Sequence, residues 1–162
     1  MLVLVGAPPH GGESILLTKR SLTVESHKGQ VSFPGGFPEA EDRDLRDTAL
    51  REAREEVGVT RDDIEVLGAL PAVTTRGSVW IHPWIGLLDF PYPFRPNPEE
   101  VERLLLLPVA RLIGEGLRQV EVASEGRVFR GPGIDVDGEL VWGATARVLL
   151  SLREMLGADF GR

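Results

Sequence analysis

Glu52, Glu55 and Glu56 stand at i, i+3 and i+4, a spacing that projects three carboxylates from one face of an α-helix. Two unit charges about 4 Å apart repel by about 1 kcal/mol in water and about 4 kcal/mol at an effective dielectric of 20. A fold needs no such cluster. Hard divalent cations such as Mg2+ or Mn2+ take oxygen ligands, and one helical face with three carboxylates can hold one or two of them beside substrate phosphates. Negative charge near a helix C-terminus also opposes the macrodipole, which argues against a purely stabilising role. The competing reading is a solvated helix balanced by its own arginines, because Arg51 lies four residues from both Asp47 and Glu55. The helix taken alone leaves both readings open.

The elements around it follow from periodicity and turn residues. Over Asp44 to Val57 the apolar positions Leu45, Ala49, Leu50, Ala53 and Val57 recur at helical spacing, and Gly58 suits a C-terminal cap. Residues 2–5 and 14–18 read as strands separated by a Pro/Gly loop at Pro8-Pro9, and 30–33 as a short strand stopped by Pro34-Gly35-Gly36. Residues 64–73 and 79–88 read as two further strands joined by a Thr74-Thr75-Arg76-Gly77 turn, the second tolerating Pro83 only at an edge or bulge. Residues 89–98 hold four prolines and form a loop, 99–107 fit a strand or a helix turn, and Pro108 opens a short helix to about Ile113. Residues 120–129 and 134–141 suggest a hairpin pair with an Asp137-Gly138 turn, and 144–156 form an amphipathic helix. The order implies an α/β fold, a mixed sheet between helices.

The 162 residues, 42% of them apolar, suffice for one domain spanning 1–162 with a sizeable core. With 18 basic and 25 acidic residues the net charge is -7, which disfavours nucleic-acid grooves and anionic membrane surfaces as partners. A small anionic substrate stays compatible, since a bound divalent cation reverses the local sign. The absence of cysteine removes disulfides, thiolate catalysis and thiolate metal sites. There is no signal-like leader and no apolar run near the roughly 18 residues of a membrane span, so a cytoplasmic location is the expectation. His10 has no identifiable partner, and Trp80, His82, Trp84 and Trp142 read as packing residues.

The stretch Arg51-Glu-Ala-Arg-Glu-Glu-Val-Gly-Val59 resembles the second half of the Nudix hydrolase box, G-x5-E-x7-R-E-U-x-E-E-x-G-U, with U aliphatic. The first half departs from that pattern: the sixth residue after Gly36 is Asp42 rather than Glu, and Arg51 lies one residue further on. Upstream, Leu16-Leu-Thr-Lys-Arg-Ser21, His27-Lys-Gly-Gln30 and Phe33-Pro-Gly-Gly36 resemble the coenzyme A diphosphatase branch of that superfamily, which shares the longer spacing and the aspartate. Leu70-Pro71, Glu100-Val101 and Val141-Trp-Gly-Ala-Thr-Ala146 resemble its later landmarks, so the likeness covers nearly the whole chain. The first strand begins almost at once, and the extra N-terminal segment common in that branch is expected to be absent.

The resemblance implies a Nudix α/β/α sandwich and metal-dependent hydrolysis of a nucleoside diphosphate derivative. Coenzyme A would give 3',5'-ADP and 4'-phosphopantetheine; ADP-ribose is an alternative substrate, and a nucleotide-binding module without catalysis an alternative of another class. It implies Mg2+ or Mn2+ on Glu52, Glu55 and Glu56, with Glu55 either ligand or base, Arg51 orienting the carboxylates, and Glu100 a further ligand or base. Gly35 and Gly36 would bring backbone amides to the diphosphate. Arg20 and Ser21, with His27 and Gln30, would line the substrate side, Arg20 meeting a 3'-phosphate or the diphosphate. The implied partner is a small nucleotide, with no nucleic acid or membrane, and a homodimer is left open.

Overall fold

The computed structural model describes residues 1–7, 11–24, 27–75, 77–124 and 126–160. The Pro8-Pro9 loop, His10, and Arg76 of the expected turn lie outside the described residues. The chain order is β1 (Leu2–Gly6), β2 (Ser14–Arg20), β3 (Val31–Ser32), α1 (Leu45–Val57), a 3-10 turn (Arg61–Asp63), β4 (Glu65–Ala69), β5 (Val73–Thr74), β6 (Trp80–Ile81) and β7 (Trp84–Leu87). There follow β8 (Val101–Pro108), α2 (Val109–Gly114), β9 (Arg118–Ser124), β10 (Arg127–Val136), β11 (Glu139–Val141) and α3 (Gly143–Phe160).

The main sheet runs β3-β2-β1-β7-β4, with β8 along the other edge of β2. It is mixed: β1 and β7 are parallel, with Leu2 opposite Trp84, and the remaining pairs are antiparallel. Alternation along the central strands sorts their side chains between two cores. Leu2, Leu4 and Leu16 pack with Ala49, Leu50, Ala53 and Val57 of α1, while Val3, Ile15 and Leu17 pack with Val148, Leu149 and Leu152 of α3. Strands buried on both faces read as continuous apolar runs, which is why Leu-Val-Leu-Val and Ile-Leu-Leu occupy the middle of the sheet. The result is the expected α/β/α sandwich. Among the described residues, no helix is long and apolar enough to cross a membrane.

The α1 boundaries have local causes. Asp44 is extended (φ -161°, ψ 176°) and accepts a hydrogen bond from the Asp47 N–H at 2.8 Å, an N-cap. Gly58 takes the left-handed conformation (φ 72°) and donates to the Arg54 carbonyl at 3.0 Å.

Three expectations are corrected. Residues 64–73 and 79–88 do not form two continuous strands: β4 and β7 belong to the main sheet, while β5 and β6 form a separate two-stranded one. The second break falls at His82-Pro83, where proline has no N–H to donate and its carbonyl instead accepts from Leu70 N–H at 2.9 Å. The expected hairpin pair is a three-stranded sheet, β11-β10-β9. β10 runs through Gly131-Pro132-Gly133 because it changes partner there, pairing with β9 up to Gly133 and with β11 from Ile134. Trp80 is 63% exposed rather than a packing residue, since the small sheet leaves that face uncovered; His82 is likewise exposed. Trp84 and Trp142 are half-buried, Trp84 against the α1 core and Trp142 against Phe129 with ring centroids 5.2 Å apart.

Candidate active site

Arg51 organises the near side of the acidic face of α1. Its guanidinium forks onto Asp42 (Nε to Oδ1 3.0 Å, Nη2 to Oδ2 3.1 Å) and donates to the Phe37 carbonyl at 2.9 Å. It also lies 2.9 Å from Glu52 Oε1 and 3.1 Å from Glu55 Oε2. Asp42 accepts from Thr48 Oγ1 and from the Glu39 N–H, each at 2.9 Å. The Arg51 fork and these donors hold its carboxyl down at about 2. The acid that departs from the general box is thus the anchor of the arginine. It was absent from the expected site residues, although its place as the sixth residue after Gly36 was the available signal.

Glu56, one turn of helix beyond Glu52, sits in a different environment. Its side chain is 3% exposed and its nearest cation is Arg20, with Nη1 3.9 Å from Oε1. Burial pushes its carboxyl up to about 8; Glu100 and Glu52 add to the rise as like charges, while Arg20 and a backbone hydrogen bond from Gly35 oppose it. Burial also raises Glu52, against the opposing pull of Arg51. Gly36 packs directly on the Glu52 carboxylate, and a Cβ there would displace that carboxylate from its place.

The expected trio is not drawn into one cage. Glu55 is 43% exposed and turned towards Arg51 and Arg54, the latter at 3.8 Å. Among the described residues, no three acidic or histidine side chains converge as a ready-made metal cluster. Glu52 feels Glu55 and Glu100 as like charges, while Glu56 feels Glu100 and Glu52. The donor set of Glu52, Glu56 and Glu100 fits a hard divalent cation: oxygen ligands only, Glu52 and Glu56 raised by burial, with Arg51 on Glu52 and Arg20 at the margin of ion-pair range of Glu56.

Glu100 arrives from the far end of the proline-rich loop. That loop is fastened to the C-terminus of α1, Arg95 N–H donating to the Val57 carbonyl and Asn97 N–H to the Glu56 carbonyl, each at 2.9 Å. Asn97 Nδ2 then donates to Glu100 Oε1 at 3.2 Å. On the other side Ser21 N–H donates to the Glu100 carbonyl at 2.8 Å, tying it to the end of β2. The Ser21 hydroxyl lies 2.7 Å from Thr23 Oγ1, which donates to the Glu99 carbonyl at 3.1 Å. Ser21 is therefore buried in the turn that carries Glu100.

Arg20 is mostly covered, and its buried Nε has no hydrogen-bond partner. Gln30 and His27 reach it through the backbone: Arg20 N–H donates to the Gln30 carbonyl at 2.9 Å, and Gln30 N–H to the His27 carbonyl at 3.1 Å. His27 itself is exposed at φ 55°. The structure therefore brings Arg20, Gly35, Gly36, Arg51, Glu52, Glu56 and Glu100 to one neighbourhood, with Glu55 at its solvent edge and Ser21, His27 and Gln30 in the supporting turns.

Comparison with known proteins agrees with the fold that carries these residues. The NUDIX domain model matches residues 3–126. An uncharacterised Nudix hydrolase, NudL, of Photorhabdus laumondii subsp. laumondii is 33% identical over 144 residues, covering 88% of this chain and 77% of that protein. NudL of Salmonella paratyphi B is 33% identical over 158 residues, covering 97% and 81%. Among solved structures, the Nudix hydrolase RenU of M. smegmatis superposes with a TM-score of 0.65 at 17% identity, covering 97% of this chain and 83% of that one. The NUDIX domain of Shewanella oneidensis NrtR, complexed with ADP ribose, gives 0.58 at 18% identity, covering 96% and 84%. At such identities the structural likeness speaks for the fold, and none of these matches singles out the coenzyme A diphosphatase branch.

Proposed function

The chain belongs to the NUDIX domain family, and from that premise we propose that it is a divalent-metal-dependent hydrolase of a nucleoside diphosphate derivative. The observation that carries this reading is Glu56: a buried carboxylate raised to about 8, beside Glu52 and Glu100, with its nearest guanidinium 3.9 Å away. A module that only bound nucleotide would have no use for a buried carboxyl whose ionisation awaits a countercharge the fold does not place in contact with it.

Glu52, Glu56 and Glu100 would hold Mg2+ or Mn2+, which when bound neutralises diphosphate oxygens and lowers the pKa of a bound water. Arg51, itself fixed by Asp42, holds Glu52 in place from the side away from substrate. Arg20 offers the planar fork, with its free Nε, to a phosphate of the substrate. Gly35 and Gly36 keep the backbone close to the carboxylates, so that main-chain amides face the diphosphate. Glu55, outside the metal-holding set at the solvent edge, accepts the proton of the attacking water. Ser21, His27 and Gln30 shape the turns behind Arg20 and Glu100.

For the substrate, the run Leu16 to Gly36 supports coenzyme A, cleaved to 3',5'-ADP and 4'-phosphopantetheine. The second reading is ADP-ribose, favoured by the likeness to an ADP-ribose-bound NUDIX domain over nearly the full chain. Turnover of both compounds, with acylated coenzyme A and a nucleoside triphosphate, in Mg2+ and in Mn2+ tests the proposal. Release of 3',5'-ADP from coenzyme A is the expected result. Brisk cleavage of ADP-ribose with none of coenzyme A rejects the first substrate and keeps the chemistry, and metal-independent binding without product from any of the four rejects the chemistry.

A further inference from the structure

We propose that Asn97 is a positioning residue that holds the Glu100 carboxylate toward Glu52 and Glu56, an inference that rests on the role given to Glu100 above. Left to itself, a half-buried carboxylate facing two others would rotate outward, since repulsion between like charges grows as water is excluded. Asn97 is built to prevent this. Its Oδ1 accepts the Glu99 N–H at 3.1 Å, which orients the amide and leaves Nδ2 as the group facing Glu100 Oε1 at 3.2 Å. Its carbonyl accepts the N–H groups of Glu100 (3.0 Å) and Val101 (2.8 Å), and its own N–H binds the Glu56 carbonyl at 2.9 Å.

One residue thus connects the backbone of the most deeply buried acid to the side chain of an acid that arrives from a separate element. The pairing also explains why the proline-rich loop lies across the end of α1. Pro96 and Pro98 flank Asn97, and their fixed φ angles limit the freedom of the segment from which the amide projects. A neutral donor suits the position, because it restrains a carboxylate without neutralising charge that a cation would use.

The test compares Asn97→Ala, Asn97→Ser, Glu100→Gln and Asn97→Ala/Glu100→Gln in the full chain. Serine keeps an oxygen for the Glu99 N–H and so preserves the turn, but it lacks the amide that reaches Glu100. The readouts are kcat and KM, Mn2+ binding to the substrate-free protein followed by the EPR signal of free Mn2+, and thermal unfolding. Both Asn97 variants should lower kcat by about 10- to 100-fold and weaken Mn2+ binding by roughly 10-fold, with KM nearly constant. The double variant should match Glu100→Gln alone.

Equal losses from Asn97→Ala in the wild-type and Glu100→Gln backgrounds would overturn the proposal, because Asn97 would then act by another route. Unchanged Mn2+ binding and kcat in Asn97→Ser would do the same. Full activity and full Mn2+ affinity in Glu100→Gln would remove the role of Glu100 and this inference with it, leaving Glu52 and Glu56 in place. Because Mn2+ binding is read without substrate, failure of hydrolysis as such is distinguishable from failure of the positioning role.

Discussion

At the N-terminal end of α1, Asp47 is met by Arg43 (Nη2 to Oδ1 2.9 Å) and by Arg61, and Asp42 by the fork of Arg51. At the C-terminal end, Glu56 is buried more deeply with Arg20 at 3.9 Å and the Met1 α-ammonium acting on it and on Glu52 from a distance, and Glu52 shares Arg51 with three other acids, Glu39, Asp42 and Glu55. The pKa directions follow the pairing. Asp42 and Asp47 are pulled down by hydrogen bonds from arginine, whereas Glu56 and Glu52 are pushed up by burial. Acids of both kinds therefore lie on or beside one helix, differing in whether the fold itself supplies the countercharge. Where it does, the acid holds the structure together; where it does not, burial favours the neutral form until a cation from solution supplies the countercharge.

The strongest break of this contrast is Glu56→Gln. Turnover should fall by several orders of magnitude while the thermal midpoint of the metal-free protein at pH 8 rises, because a buried carboxylate has been replaced by a neutral group of the same shape. A near-normal rate would move Glu56 to the structural class. Asp42→Asn should do the reverse in proportion: a clear fall in thermal midpoint from the loosened Arg51, and a loss in kcat of about 10- to 100-fold through Glu52. An unchanged midpoint would mean that Asp42 does not anchor the arginine.

The pH dependence of the metal-free protein sharpens the same contrast. For Glu56, whose ordinary value is 4.5 and whose folded value is about 8, the stability contribution is fully present below about 4.5 and is lost as pH rises through 8. For Asp42, lowered from 3.8 to about 2, the contribution is present above about 3.8 and is lost as pH falls through 2. Melting curves in EDTA should therefore decline on both flanks, and Mg2+ should restore the alkaline flank alone; an alkaline flank indifferent to Mg2+ contradicts the cation reading. The smallest effect is expected from Asp44→Ala, which removes the helix cap. It should cost about 1 kcal/mol in denaturant unfolding with kcat unchanged, and a change in kcat would show that the two ends of α1 are coupled.

Legibility in the sequence followed the range of the interactions. β1, β2, α1 and α3 were readable because their apolar periodicity and caps are local, and the box residues Arg51 to Val59 carry a motif that matches position by position. The partition of residues 64–88 into two sheets was not readable, since Pro83 marks a break without saying which edge each half will join. Trp80 departs from its expected burial because an aromatic in a strand reports burial only when something covers it. Asp42 stands out in the sequence as a departure, and its service to Arg51 emerges only once the eight intervening residues are folded back. Glu99 and Glu100 were adjacent and equivalent as letters, yet Glu99 faces solvent while Glu100 is half-buried beside the α1 acids.

Taken alone, the sequence determined that the chain is acidic, lacks thiol chemistry, builds its sandwich from doubly buried strands and places ten acids against five arginines between Glu39 and Asp63. It also determined that Glu52, Glu55 and Glu56 share a helical face, since 3.6 residues per turn is a property of the backbone. Which of those acids would be neutralised was decided only by the tertiary structure. That depended on Asp42 claiming Arg51, Arg54 turning outward with Glu55, and a proline-bounded loop bringing Asn97 and Glu100 to the end of the helix. Countercharge acts through space and burial, and neither is encoded at fixed sequence spacing.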